Sequence, residues 1–340
     1  MSIVPLPGSP AVSVLMCAAI SCIGCALLLW ALIKTGIAWR LATDIPNERS
    51  LHTRPVPRVG GWGIVPVVAL IVWMSALALW LPALLAVLLS ALSQIDDRRG
   101  LPARVRFGAH VVAVAALIVV YPADVSWWLL ALIGFLFVWL VNLYNFMDGA
   151  DGLAGGMALF GFGGYAVAAL TTAHPDVPLA IACAAVAGAA VGFLIFNLPP
   201  ARVFLGDAGS IPLGFLAGAF GYWGWCNSLW PVWFPVMAFS PFIADASVTL
   251  VKRLGRGEKF WQAHREHYYQ RMVRAGVGHA TTARVWYTVM LAGIMLALWA
   301  KGFPPMLQWL AVAVWMVVLL MAGVSVDRRW RRFTSASEHP

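Results

Sequence analysis

An all-α fold, a polytopic integral membrane protein with about 11 transmembrane helices, is predicted by three features of the sequence. Hydrophobic residues make up 61% and charged residues only 11% of the 340, whereas a soluble domain is roughly half apolar and about a quarter charged. Apolar stretches of about the length needed to cross a bilayer recur from end to end. Basic residues fall almost wholly on alternate connections between those stretches, as the positive-inside rule requires.

The stretches lie at about 11–33, 62–80, 82–95, 107–121, 124–142, 152–172, 178–196, 209–226, 231–251, 284–300 and 304–323. The segments 82–95 and 107–121 are short for a bilayer, which leaves the count open by about one. The first stretch follows an uncharged segment and carries no cleavage-site pattern, so it reads as a retained helix and not a removed signal. With the N-terminus outside and the C-terminus cytoplasmic, the inner connections are about 34–61, 96–106, 143–151, 197–208 and 252–283, plus the tail 324–340. These connections and their edges hold 22 of the 23 Lys and Arg residues, Lys301 being the exception. The net charge of +9 therefore follows from topology and does not point to nucleic acid. The tail sequence RRWRRF suits an anionic membrane surface. The five cysteines form no CxxC pair and predict neither a disulfide framework nor a metal site. No internal repeat is visible, and residues 1–340 read as a single membrane domain.

Of the 14 Asp and Glu residues, only Asp124 and Asp176 belong to outer connections. Within QIDDRRGLPAR, Asp96 and Asp97 are adjacent carboxylates that repel unless a cation or proton intervenes. Alone, the pair also fits a helix end whose Asp balances Arg98 and Arg99. The segment NLYNFMDGADGLAGG carries Asn142, Asn145, Asp148 and Asp151 before a new helix. Four such side chains exceed what a helix cap needs, and they suit a metal, a nucleobase or an anion at the helix start. In RVFLGDAGSIPLG, Asp207 sits between glycines at the start of the next span, as a cation or phosphate site or as a simple cap.

Two cation-rich stretches complete the set. DIPNERSLHTRPVPRVGG presents Arg49, His52, Arg54 and Arg58 on a non-helical connection, a pattern suited to an anionic ligand. In the long inner connection, His264 and His267 are three residues apart beside Arg265, and such a cluster suits phosphate or sugar. A zinc site would need a third ligand that the spacing does not offer. Asp245 lies inside a span with Lys252 seven residues on, close to the same helix face, and reads as structural.

Oxygen ligands, cations and glycine-rich turns at one membrane face make a diphosphate site, where Mg²⁺ would offset charge during phosphoryl transfer. No Walker-type GxxxxGK[ST] is present, so ATP hydrolysis is not expected. A transporter is the rival class, but its polar groups would lie near the midplane and its halves would repeat.

The ordered elements DIPNERSLHTRPVPRVGG, Asp96-Asp97, NLYNFMDGADGL, FLGDAGS and AHREHYYQR, spanning positions 44 to 271, resemble the polyprenyl-phosphate N-acetylhexosamine-1-phosphate transferases. That family includes initiators of O-antigen and enterobacterial common antigen and the phospho-MurNAc-pentapeptide translocase. The resemblance implies ten or eleven helices and an active site on the cytoplasmic face of the bacterial inner membrane. It implies transfer of N-acetylhexosamine-1-phosphate from a UDP-N-acetylhexosamine to undecaprenyl phosphate, with release of UMP. Mg²⁺ is the implied cofactor, with Mn²⁺ able to substitute. Membrane lipids are implied partners, and homodimers occur in the family. By position, Asp207 matches the family's Mg²⁺-binding Asp and Asn145 a position near metal and diphosphate. Asp151 matches the uracil contact, with Asn142 and Asp148 in the same motif, and Asp96 and Asp97 match the catalytic carboxylates. His264, Arg265 and His267 match the loop that distinguishes sugar donors. HREH replaces the translocase's three consecutive histidines there, which disfavours the peptidoglycan substrate and favours UDP-GlcNAc or a deoxy relative such as UDP-FucNAc.

Overall fold

A computed structural model describes residues 9–46, 51–259 and 264–338. Each of the eleven apolar stretches is helical, and the ninth is broken in two. The helices are α1 (Pro10–Lys34), a short α2 (Ile37–Leu41), α3 (Gly60–Ser75), α4 (Trp80–Arg99), α5 (Ala103–Val120), α6 (Trp127–Phe146), α7 (Leu153–Leu170), α8 (Val177–Asn197), α9 (Asp207–Cys226), α10 (Trp233–Ala238), α11 (Ser240–Gly255), a short α12 (Tyr268–Met272), α13 (His279–Ala300) and α14 (Pro305–Glu338). A single two-residue strand pair, β1 (Thr43–Asp44) with β2 (Val56–Pro57), departs from the all-α expectation.

Among the described residues, eight helical segments are long and apolar enough to cross a membrane. The shorter α3, the α9 helix and the α10–α11 pair are not among them. The two stretches that looked short are full helices of 20 and 18 residues, because their charged ends, Asp96 to Arg99 and Ala103 to Arg106, continue the helix beyond the apolar run. The ninth stretch breaks at Phe239, where Pro241 opens α11 in the first turn, the one place a helix tolerates a missing N–H. Helix α14 has 34 residues, about 50 Å of helix, so it outlasts a hydrocarbon core of roughly 30 Å.

Burial orders the bundle. The apolar window of α8 is 89% buried and that of α14 only 6%, so α8 is the central post and α14 shows apolar side chains such as Met306 and Leu320 to the surroundings. In lipid, apolar side chains gain little from leaving their surroundings, and helices associate through close packing of small residues instead. Helix α8 is built for this, with seven Ala and two Gly among its 21 residues. A Cβ at Gly188 would lie 2.1 Å from the Ala18 carbonyl oxygen of α1, and Ser21 Oγ donates to Ala185 O across the same contact at 2.6 Å.

Gly188→Ala is therefore expected to cost about 1–3 kcal/mol through overpacking and to lower the melting midpoint of detergent-solubilised protein in fluorescence-detected size exclusion. Gly163→Ala, where no atom lies within 4 Å of the added Cβ, is the control and should melt with the parent protein; equal melting of both would remove the α1–α8 contact from this role.

Candidate active site

Helix ends on one side of the bundle enclose a polar cavity of about 330 Å³. Four connections build its wall. The first, between α1 and α3, gives Asp44, Leu51, His52 and Arg58, and the α6–α7 connection gives Asn145, Asp148 and Asp151. The α8–α9 connection and its edges give Asn197, Phe204 and Asp207, and the segment before and at the start of α13 gives Gln270 and His279.

Backbone hydrogen bonds set these connections against one another. Arg58 N–H donates to Ala42 O at 3.0 Å, Phe204 N–H to Pro57 O at 2.9 Å, Gly60 N–H to Phe204 O at 2.9 Å and Gly61 N–H to Leu205 O at 3.0 Å. The approach depends on glycine: a Cβ on Gly61 would sit 2.4 Å from the Ala208 carbonyl carbon. PRVGG and FLGDAG thus form one joint where the start of α3 rests on the start of α9. On the other side, Asn197 Oδ1 accepts from Gly152 N–H at 2.9 Å while its Nδ2 donates to Val203 O at 2.8 Å, joining the second and third connections.

Arg58 stands at the centre of the charge. Its guanidinium lies 3.2 Å from Asp207 Oδ1 and 3.8 Å from Asp97 Oδ1. Burial pulls its pKa down, but Asp97, Asp207, Asp44 and Asp148 more than offset that, leaving it raised. Burial lifts the Asp148 carboxyl to about 7, against Arg58 and a Gly206 N–H that favour its charge and with Asp207 and Asp44 that oppose it.

The adjacent carboxylates have separate partners. Asp96 closes the α4–α5 turn, accepting from Leu101 N–H at 2.6 Å and from Arg106 Nη1 at 3.0 Å. Asp97 faces Arg58, and its buried Oδ2 has no hydrogen-bond partner among the described residues. An unfilled buried carboxylate oxygen on Asp97, one of four carboxylates around a single guanidinium, suits a hard divalent cation. Asn145 Oδ1 accepts from Ser210 Oγ at 2.7 Å. Among the described residues no three His, Cys, Asp or Glu side chains form a ready-made ligand cluster, so a cation here would be held by few protein oxygens and by its substrate, as Mg²⁺ commonly is.

Several of the residues singled out in the sequence lie away from the cavity wall. Asn142 Nδ2 donates to Val138 O of its own helix, away from the cavity wall. Arg54 is exposed and outside the wall, and Arg49 lies outside the described residues. His264, Arg265 and His267 do not line the cavity either. His267 caps α12 and turns to Asp245, while His264 packs on it with ring centroids 4.8 Å apart. Burial, then His267 and Arg253, push the His264 pKa down to about 4. Lys252 pairs with Asp327 and not with Asp245. His52, Arg58, Asn145, Asp148, Asp151 and Asp207 do meet at the cavity.

Sequence reasoning missed Asp44, Asn197, Gln270 and His279. Asp44 opens the DIPNER element, and Asn197 ends a span just before Pro199-Pro200, signals that were there to use. His279 is an isolated residue whose role comes only from folding: Nε2 reaches Leu51 O at 3.1 Å and Nδ1 receives Asp151 N–H at 3.3 Å. Asp151 Oδ2 accepts from Ala201 N–H at 3.0 Å.

Residues 79–224, which include Asp96, Asp97, the α6–α7 connection and Asp207, match the family described as Glycosyl transferase family 4. The chain is similar to a probable undecaprenyl-phosphate N-acetylglucosaminyl 1-phosphate transferase of Bacillus subtilis, 26% identical over 88% of this chain and 89% of the relative. The similarity to this family thus covers the middle of the chain by the family description and most of its length by the relative. A second relative is the decaprenyl-phosphate N-acetylglucosaminephosphotransferase of Mycolicibacterium smegmatis, 27% identical over 82% of this chain and 81% of the relative. The phospho-N-acetylmuramoyl-pentapeptide-transferase of Geobacillus kaustophilus is 46% identical, over 28% of each chain.

The different surroundings of the two adjacent carboxylates predict different variants. Asp97→Asn should lower turnover by about a hundredfold or more, the scale of a lost proton acceptor, with the melting midpoint held. Asp96→Asn turns an amide toward Arg106 and should lose more thermal stability than turnover per active molecule. Steady-state rates beside melting curves decide it, and the reverse ranking would exchange the two roles.

Proposed function

We propose that this protein transfers an N-acetylhexosamine-1-phosphate from a UDP-sugar to undecaprenyl phosphate, releasing UMP, as the first membrane step of a surface polysaccharide such as O-antigen. The observation that carries the reading is the cavity itself: it gathers Arg58, Asn145, Asp148, Asp151 and Asp207 from three connections, with Asp97 behind Arg58, at the ends of apolar helices. A soluble nucleotide can enter there while a lipid phosphate stays at the interface. The count of basic residues favours the cytoplasmic side of the inner membrane for that end, with eleven crossings and the N-terminus outside.

In this reading an oxygen of the lipid phosphate attacks the sugar-bearing phosphorus of the UDP-sugar. One phosphorus–oxygen bond forms, the bond to the bridging oxygen breaks, and UMP leaves with the electron pair. Asp97 takes a proton from the lipid phosphate, if one is present, and Arg58 steadies phosphate oxygens through its fork of donors. Asp151 borders the nucleotide, placed by Ala201 N–H and His279. Asp207 and the open oxygen of Asp97, with Asn145 nearby, would hold Mg²⁺, whose chemistry is to offset charge on the diphosphate. Direct attack is favoured, because a lipid phosphate is already a competent nucleophile.

UDP-GlcNAc, or a deoxy relative such as UDP-FucNAc, is the proposed donor. The two relatives similar over most of the chain are named for N-acetylglucosamine, whereas similarity to the pentapeptide transferase covers 28% of the chain. HREH in place of three histidines argues the same way. The polar groups gather at one end of the bundle, which is unlike a transporter site at the midplane.

The test is UMP release by purified protein with undecaprenyl phosphate, Mg²⁺ and a panel of UDP-sugars. Turnover is expected with an N-acetylhexosamine donor, abolished by EDTA and restored by Mg²⁺, and Asp207→Ala should lose about a hundredfold or more, the scale of a lost metal ligand. Full turnover in Asp207→Ala would remove the metal assignment, and failure with every UDP-sugar would remove the donor class.

A further inference from the structure

Asp245 is 2% exposed, yet it lines neither the polar cavity nor any ion pair with Lys252, whose ammonium goes to Asp327 and to Tyr268 OH. A carboxylate buried at that depth is costly unless its oxygens are filled, and here both are. Oδ1 accepts from Tyr268 N–H at 2.8 Å and from Thr249 Oγ1 at 3.2 Å, with His267 Nδ1 at 3.3 Å. Oδ2 accepts from Tyr269 N–H at 3.1 Å. The side chain of α11 therefore seats the first turn of α12.

What α12 carries makes this matter. Gln270 lines the polar cavity, and its Oε1 accepts from His267 N–H at 3.2 Å. Tyr269 is 1% exposed, and its hydroxyl donates to Phe146 O at 3.1 Å, one residue past Asn145. The opposite side of α12 is tied by Arg271 to Asp327 of α14 at 2.9 Å. Five residues cannot hold a helix by themselves, so these outside contacts fix where α12 sits.

We propose that Asp245 is a positioning residue for the nucleotide-sugar side of the cavity, acting through α12 on Gln270 and, through Tyr269, on the connection that bears Asn145. The proposal rests on the reading of the cavity as the nucleotide-sugar site. Asp245 touches no reacting atom. It should set how well the donor is bound and leave the lipid phosphate alone.

The test uses the purified full chain in detergent. Asp245→Asn keeps the shape but turns an amide N–H toward the N–H of Tyr269 or of Tyr268. It should raise the KM for the UDP-sugar by about tenfold, the scale of losing one hydrogen bond to a charged acceptor, with the undecaprenyl phosphate KM within about twofold. Hydrogen–deuterium exchange of the 264–272 amides should quicken in the variant. Unchanged KM values, or equal changes in both, would overturn the proposal. If Asp245→Asn fails to fold, Tyr269→Phe decides, because it removes only the hydroxyl on Phe146 O and must show the same KM split. If the parent protein turns over no UDP-sugar, the functional reading fails and takes the donor role of Asp245 with it; amide exchange then judges only the seating of α12, which quickened exchange sustains and unchanged exchange ends.

Discussion

A buried guanidinium among carboxylates is the constraint on which the site depends. Arg58 has to lie within reach of Asp97 at the end of α4 and of Asp207 at the start of α9, and those residues are far apart in the chain. Without that cation, four carboxylates would face one another in a partly desolvated cavity, and some would have to take up protons. With it, the charge is only partly offset, which leaves a demand for further positive charge. The backbone joint between PRVGG and FLGDAG, together with the bond from Arg58 N–H to Ala42 O, fixes the main chain from which the Arg58 side chain reaches the carboxylates.

The membrane supplies the frame for that joint. Helices in lipid must satisfy their backbone internally, so polar connections are free to specialise only at the ends. Close α1–α8 and α3–α9 contacts through glycine let helix ends converge on the cavity without large side chains between them. The break between α10 and α11 belongs to the same economy of space: α11 leaves the line of α10 and brings Asp245 beneath α12. The long, largely unburied α14 then covers the outer side of this region and contributes Asp327.

Helix positions were legible in the sequence because apolar runs and basic connections are local, additive signals. Strand pairing of Thr43–Asp44 with Val56–Pro57 was not, since it depends on a joint with residues near 204 that no local pattern encodes. The site was legible where a motif residue faces the cavity by virtue of its place at a helix end, as with Asn145, Asp148 and Asp207. Adjacent Asp96 and Asp97 read alike in sequence, but successive residues on a helix point about 100° apart, so one meets Arg106 and the other Arg58.

The HREH segment shows the deeper limit. Histidines three residues apart suggest one cluster facing a ligand, but His267 is the N-cap of α12 and His264 lies before it. Their rings still meet, yet against each other and Asp245, not against the cavity. Which way a short helix faces is decided by whatever binds its ends, and here that is a carboxylate 23 residues back and another 56 residues ahead of their partners. A segment held in this manner presents Gln270 to the cavity by backbone placement. Its histidines pack against each other and beside Asp245, so they shape how α12 sits and do not face the cavity.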